Sequence, residues 1–301
     1  MTPQDVPILP ALSRAAFDRA ADERATPGLI EHLRADPASL VLVVHGDRAP
    51  IAAGRELLMV PPAQVPADLE WGFLGRDTEG RAILAAVASA DEQPPITAPA
   101  WGALREVGGD VAAEQAALFV TALALGRWLL DSPFCSHCGT RTHVRAAGWV
   151  RSCPACGREH FPRTDPAVIV AITDAADERL LLGKNALWAT RNMYSAFAGF
   201  VEAGESLEAA VVREVEEESG VRVSALRYRG SQSWPYPRSL MLGFHATAAA
   251  QPEARADGEE IVDVRWFTRS ELRDAFAGES DFRLPGPASI AHQLIRDWVE
   301  R

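Results

Sequence analysis

The chain has 301 residues, length for about two domains with a sizeable buried core. With 48% hydrophobic and 24% charged residues, its composition is globular rather than disordered or fibrous. A formal net charge of −11 argues against broad nonspecific nucleic-acid binding, and DNA is not an expected partner.

The first twenty residues, MTPQDVPILPALSRAAFDRA, lack a basic stretch followed by an apolar one, so no secretory signal is read there. The longest strongly apolar run, around 116–125, is too short to span a bilayer. A cytoplasmic protein with no membrane partner is expected. Residues 1–98 read as a β-rich domain, with strands expected over 40–44, 51–60 and 82–87 and a strand and turn at 72–75. His45 there reads as a surface or turn residue. Residues 91–100, DEQPPITAPA, are a Pro-rich connector. Residues 99–131 are expected to form a linker and one long helix over 111–130, with Arg105 just before it.

Cys135 and Cys138, then fourteen residues, then Cys153 and Cys156 form two Cys-x2-Cys knuckles. Across a short hairpin this spacing places four thiolates tetrahedrally and closes a structural Zn2+ site with no open position, one per chain. Gly139 and Gly157 follow two of the cysteines and suit tight knuckle turns. The expected zinc ribbon covers 132–161. A DNA-binding ribbon is the alternative, but the segment between the knuckles is not especially basic.

From 162 to 301 the pattern is mixed α/β. Strands are expected at 167–173, 180–182, 194–201, 223–229, 240–248 and 261–267, with helices at 270–276 and 289–300. Between them lies GFVEAGESLEAAVVREVEEESGV, residues 199–221, a loop and a helix. Ser206 is placed as its N-cap and Gly220 as the residue that stops it. Leu207, Ala210, Val211 and Val215 form its buried stripe. Glu214, Glu217 and Glu218 overlap the edge of that stripe, in the last turns, where the helix dipole disfavours anions by about 0.3–1 kcal/mol each. Arg213 can pair with Glu217 at i+4, but one guanidinium cannot neutralise the cluster. A divalent cation with oxygen ligands is the missing partner.

Gly199, five residues, Glu205, seven residues, then Arg213, Glu214, Val215, Glu217, Glu218, Gly220 and Val221 match the Nudix box in full. Downstream, Ser231 to Ser239 read SQSWPYPRS, a stiff proline-bracketed segment with projecting rings. It resembles the SQPWPFPxS element of the NADH pyrophosphatase family of Nudix hydrolases, with Ser233 in place of the first proline and Tyr236 in place of phenylalanine. The resemblance covers roughly residues 100–301. The implied fold is α+β: an N-terminal β-rich domain, a four-cysteine zinc ribbon and a C-terminal Nudix α/β/α sandwich.

The resemblance also implies site residues. Glu214, Glu217, Glu218 and Glu260, with the backbone carbonyl of Ala198, would hold two to three catalytic Mg2+ or Mn2+ ions; Glu259 is an alternative to Glu260. Glu217 or Glu260 would be the general base. Phe161 and Phe200 would stack on adenine, Phe161 from the partner of a homodimer. Gln232, Ser233, Trp234, Pro235, Tyr236, Pro237, Arg238, Ser239, Met241 and Ala291 would line the substrate pocket, and Arg105 would contact substrate. Two further departures are present: Phe161 occupies a position where the family often has tyrosine, and Gly148 one where it has glutamate. The implied activity is metal-dependent hydrolysis of NADH or NAD+ to AMP and NMNH or NMN, with removal of NAD caps from RNA 5′ ends. The alternatives are a Nudix hydrolase of ADP-ribose or a diadenosine polyphosphate, and an inactive NAD(H)- or cap-binding module.

Overall fold

A computed structural model describes residues 7–15, 17–52, 55–249 and 253–301. The chain divides into two compact units. The N-terminal unit holds Leu12–Thr164 and the four residues Pro235–Arg238; the C-terminal unit holds Asp165–Trp234, Ser239–Arg301 and the N-terminal residues as far as Ala11.

In the N-terminal unit, α1 (Leu29–Ala35) precedes a five-stranded sheet of β1 (Leu40–His45), β2 (Arg48–Ile51), β3 (Glu70–Arg76), β4 (Ala82–Ala88) and β5 (Ala100–Ala103). The strand order is β3-β4-β1-β2-β5, with β1 and β4 parallel and the other pairs antiparallel. Every residue of β4 is buried, as expected of a central strand covered on both faces. The short α2 (Leu104–Val107) leads to α3 (Ala113–Asp131), the long helix the spacing predicts. The strand expected over 51–60 ends at Ile51; beyond it only single bridges at Leu57 and Val60 remain, and Ala53 and Gly54 lie outside the described residues. The N–H groups of this stretch have separate acceptors, Leu57 the Gln115 side chain, Leu58 the Pro50 carbonyl and Val60 the Val41 carbonyl, so no ladder runs along it. The helix α1 and the strand β5 carry no clear sequence signal, because both are short. The unit closes with a three-stranded sheet of β6 (His143–Arg145), β7 (Val150–Ser152) and β8 (Glu159–His160).

The C-terminal unit is built on β9 (Asp165–Thr173), β10 (Arg179–Asn185), β11 (Phe197–Phe200), β12 (Val223–Trp234), β13 (Ser239–Ala248) and β14 (Ile261–Thr268). The order is β12-β13-β9-β10-β14, and β11 pairs with the first half of β9. Alternate residues of β9 face opposite sides. Val168, Val170 and Ile172 pack with Val211 and Val215 of α4 (Leu207–Ser219), while Ile169 and Ala171 pack with Leu294, Ile295 and Trp298. The latter belong to α6 (Ile290–Glu300), which follows α5 (Arg269–Ala277). Full burial of Val211 and of Val215 stabilises by about 1.5–3 kcal/mol each, so the central sheet is clamped from both sides. This is an α/β/α sandwich, as the strand and helix pattern predicts.

Candidate active site and zinc centre

Helix α4 begins and ends where its sequence says. Ser206 Oγ accepts the Ala209 N–H at 3.2 Å, and Gly220 takes the left-handed conformation at φ 67°. Within the helix, Glu218 continues the buried stripe of Val211 and Val215 and is only 5% exposed. Its Oε2 has no hydrogen-bond partner among the described residues. The N–H of Ala198 donates to the Glu218 carboxylate. Burial, then the charges of Glu260, Glu214 and Asp257, push its pKa up to about 8. Glu214 is raised too, because burial outweighs its ion pair with Arg213. Glu217 is the open member of the three on the helix, its side chain 61% exposed. The structure thus brings Glu214, Glu217, Glu218 and Glu260 into one electrostatic cluster, and Glu260 rather than Glu259 is the neighbour that acts on the helix.

Arg213 organises the near side. It grips Glu205 with two bonds of 2.9 Å, pairs with Glu214 at 2.9 Å and Glu217 at 3.0 Å, and donates to the Phe200 carbonyl at 3.0 Å. The i+4 pairing with Glu217 is the one expected from sequence. The forked grip on Glu205, which holds that carboxyl at about 2, needs the folded loop and was not visible in the helix spacing. Gly199 lets Glu214 approach: a Cβ there would overlap the Glu214 carboxyl group. Gly199→Ala should therefore leave the fold intact and weaken Mn2+ binding at least 10-fold in calorimetric titration. An unchanged affinity would mean that Glu214 is not held where the cation binds.

The residues expected to contact substrate fall into three classes. Phe161 and Phe200 present open rings, 50% and 53% exposed, in the N-terminal and C-terminal units respectively. Gln232, Ser239 and Ala291 are buried in the C-terminal unit, and Gln232 Nε2 donates to the Ala288 carbonyl at 3.1 Å. Ser233, Trp234 and Met241 are partly buried there. Pro235, Tyr236, Pro237 and Arg238 group with the N-terminal unit. In that unit Tyr236 lies between two guanidinium groups, Arg105 at 5.5 Å and Arg127 at 5.1 Å from its ring centroid, and its hydroxyl accepts the Arg105 N–H at 3.2 Å. Arg105 thus lies against the aromatic segment and also pairs with Asp47 at 3.3 Å. Two contacts here had no sequence signal: Arg127, a single arginine on the long helix, lies by Tyr236, and Asn185, the last residue of β10, donates to Glu260 at 3.3 Å.

The four cysteines converge in the N-terminal unit, with ligand atoms all within 4.8 Å of one another. The Cys135–Cys156 and Cys138–Cys153 sulfur separations are 3.7 and 3.4 Å. These are far from a disulfide bond and close to the edge of about 3.8 Å set by Zn–S bonds of 2.3 Å in a tetrahedron. Both knuckles have the same frame: Gly139 N–H donates to Cys135 O and Gly157 N–H to Cys153 O, each glycine at positive φ. His160 Nε2 lies 3.3 Å from Cys135 Sγ, beside the shell that the thiolates already complete.

The NUDIX domain profile matches residues 163–284, and the NADH pyrophosphatase zinc ribbon domain profile matches residues 130–161. The chain is 41% identical to the NAD-capped RNA hydrolase NudC of Mycobacterium tuberculosis strain H37Rv, over 97% of this chain and 95% of that protein. It belongs to the NADH pyrophosphatase (NudC) family of Nudix hydrolases. NudC of Pseudomonas aeruginosa strain PAO1, another NAD-capped RNA hydrolase, is 39% identical over 71% of this chain and 73% of its own length. A NUDIX hydrolase structure from Nitrosomonas europaea overlaps half of the chain at 25% identity with a TM-score of 0.39, too loosely to bear on function. Nudix hydrolases work with divalent cations, and the cluster on α4 has the charge to attract one, but among the described residues only the four cysteines gather three or more ligand atoms at one point. The carboxylates of the α4 cluster outnumber their single guanidinium, and a buried oxygen lacks a donor. The zinc ribbon profile spans all four converging cysteines, which are therefore the zinc site of this ribbon. No helix among the described residues is long and apolar enough to cross a membrane.

Proposed function

We propose that this Nudix hydrolase cleaves the pyrophosphate bond of NADH and NAD+, giving AMP with NMNH or NMN, and removes NAD caps from RNA 5′ ends. The observation that carries the reading is the α4 carboxylate cluster in a chain that aligns end to end with an NAD-capped RNA hydrolase. Glu214, Glu217, Glu218 and Glu260, with the Ala198 carbonyl, would hold two to three Mg2+ or Mn2+ ions. Bound there, the ions neutralise the anionic pyrophosphate and acidify a water.

The chain's own residues do the rest. Arg213 fixes Glu214 and Glu217 in register. Glu217, the most open of the helix carboxylates, takes the proton as the water oxygen bonds to one phosphorus and the anhydride P–O bond breaks in line. The departing phosphate leaves with its half of the dinucleotide. Phe200, and Phe161 contributed across a homodimer, offer ring faces to the adenine. Gln232 to Ser239, Met241, Ala291 and Arg105 select the rest of the substrate. The cytoplasm is the proposed compartment.

The test is turnover of NADH, ADP-ribose and a 5′-NAD-RNA with Mg2+ or Mn2+, the products separated by chromatography. AMP and NMNH from NADH, with free 5′-monophosphate RNA from the capped transcript, are expected. Faster cleavage of ADP-ribose than of NADH would assign a different dinucleotide substrate. Binding of NADH without products would leave a binding module.

A further inference from the structure

Glu260 is the one carboxylate of the cluster that α4 does not supply, so its position depends on the turn before β14. Asp257 Oδ1 accepts three consecutive N–H groups of that turn, from Glu259 at 2.6 Å, Glu260 at 2.9 Å and Ile261 at 3.1 Å. On the opposite side, the Ala186 N–H donates to the Glu260 carbonyl at 2.8 Å. These contacts fix the backbone and leave the side chain free to rotate. Its neighbours are anionic: the Glu260 charge is among those that raise both Glu214 and Glu218. A glutamate under such repulsion swings toward water unless something holds it.

Asn185 supplies the hold. Its Nδ2 donates to Glu260 Oε1 at 3.3 Å, and its Oδ1 accepts the Leu187 N–H at 2.9 Å. The second bond fixes the amide, since a flip would lose both contacts at once. A register shift brings the pair together. Lys184 faces Asp263, but Asn185 faces Ile261, so Val262 is the extra residue of a β-bulge at this edge. Bulges of this kind re-aim a side chain next to a site. The donor is neutral, so the carboxylate keeps its full charge for a cation, which a lysine in the same place would cancel.

We propose that Asn185 is a positioning residue that holds the Glu260 carboxylate in the cluster through its Nδ2 donor, so that the divalent cation meets a preformed site. The inference rests on the reading that Glu260 is a ligand of the catalytic cation. Partners of this kind typically change metal affinity by about 10–100-fold.

The experiment is Mn2+ titration of the full chain without substrate, followed by electron paramagnetic resonance of the free ion, for Asn185→Ala, Asn185→Asp, Glu260→Gln and the Asn185→Asp/Glu260→Gln double variant. The aspartate keeps the acceptor for Leu187 and removes the donor, so it separates a role through Glu260 from a role in the local fold. Both Asn185 variants should bind Mn2+ at least 10-fold more weakly and lower kcat for NADH at limiting Mn2+. KM for NADH should stay within about twofold, and added Mn2+ should restore kcat. The double variant should bind no more weakly than Glu260→Gln alone. An unchanged affinity in Glu260→Gln would overturn the ligand reading itself. A weakened Glu260→Gln beside an unchanged Asn185→Asp would overturn only the role of Asn185, as would full additivity of the two changes.

Discussion

Glu218→Gln should remove nearly all turnover of NADH while making the metal-free protein more stable at alkaline pH. Both halves follow from one placement. The carboxyl group sits on the core face of α4 with Oε2 unpartnered, and its pKa is pushed up to about 8, first by burial and then by Glu260, Glu214 and Asp257. Its folded pKa therefore lies above the ordinary 4.5, and between these values the folded state binds more protons than the unfolded one. Its contribution to stability is complete below pH 4.5 and is lost as pH rises through about 8. The loss is on the order of a few kcal/mol. Glutamine keeps an oxygen for the Ala198 N–H and has no charge to bury, so the variant should pull ahead as pH rises. Several degrees of melting temperature at pH 8.5, shrinking toward zero near pH 4, are expected for a protein of this size. Turnover should fall about 10²–10⁴-fold, the range for losing a preorganised electrostatic or proton-transfer group. Added Mn2+ should raise the melting temperature of the parent and barely move that of the variant. Retained turnover, or a variant no more stable at pH 8.5, would show that this carboxylate is not waiting for a cation.

The features legible in the sequence are those whose signal is local. Ser206 and Gly220 bound α4, the Glu214 and Glu218 spacing sets the cluster, and the paired Cys-x2-Cys knuckles close on themselves. What was hidden depends on chain segments far apart. In the sequence the resemblance favours Glu260 and leaves Glu259 as an alternative, because the loop before them varies in length. The structure sets them apart through a contact no sequence pattern shows: Asn185, 75 residues earlier, donates to Glu260 beside the bulge at Val262. Arg213 shows its i+4 partner by spacing, but its stronger forked grip on Glu205 exists only once the loop folds back on the helix. The aromatic segment around Tyr236 could be read as a stiff wall. That Arg105 and Arg127, the latter near the C-terminal end of α3, both approach its ring could not. In the N-terminal unit the run after Ile51 misled because its N–H groups go to scattered acceptors: Leu57 donates to the Gln115 side chain, Leu58 to the Pro50 carbonyl and Val60 to the Val41 carbonyl, so no continuous ladder forms.

The zinc ribbon is tied to more than its own metal, so Cys153→Ser should loosen the N-terminal unit as a whole. Trp149, between the knuckles, donates its indole N–H to the Phe73 carbonyl in β3 at 2.7 Å, and Gly148 packs so closely on Gly72 that a side chain there would clash with the β3 backbone. Arg151, 2% exposed, donates to the carbonyl of Leu129 in the last turn of α3 and lies 3.8 Å from Glu70. If the ribbon opens, β3 loses a hydrogen bond on a buried carbonyl and α3 loses the group that satisfies its end. Loss of a structural metal belongs to the few single changes that destabilise by more than about 4 kcal/mol. The expected result is loss of zinc from the purified variant and faster amide exchange in Glu70–Arg76 as well as in the ribbon, while β9 and α4 of the C-terminal unit keep their protection. Exchange that rises between Cys135 and Cys156 alone would mean that the Trp149 and Arg151 contacts follow the N-terminal sheet rather than support it. Exchange that rises in both units would mean that the ribbon stabilises the Nudix domain too, and its zinc would then bear directly on catalysis.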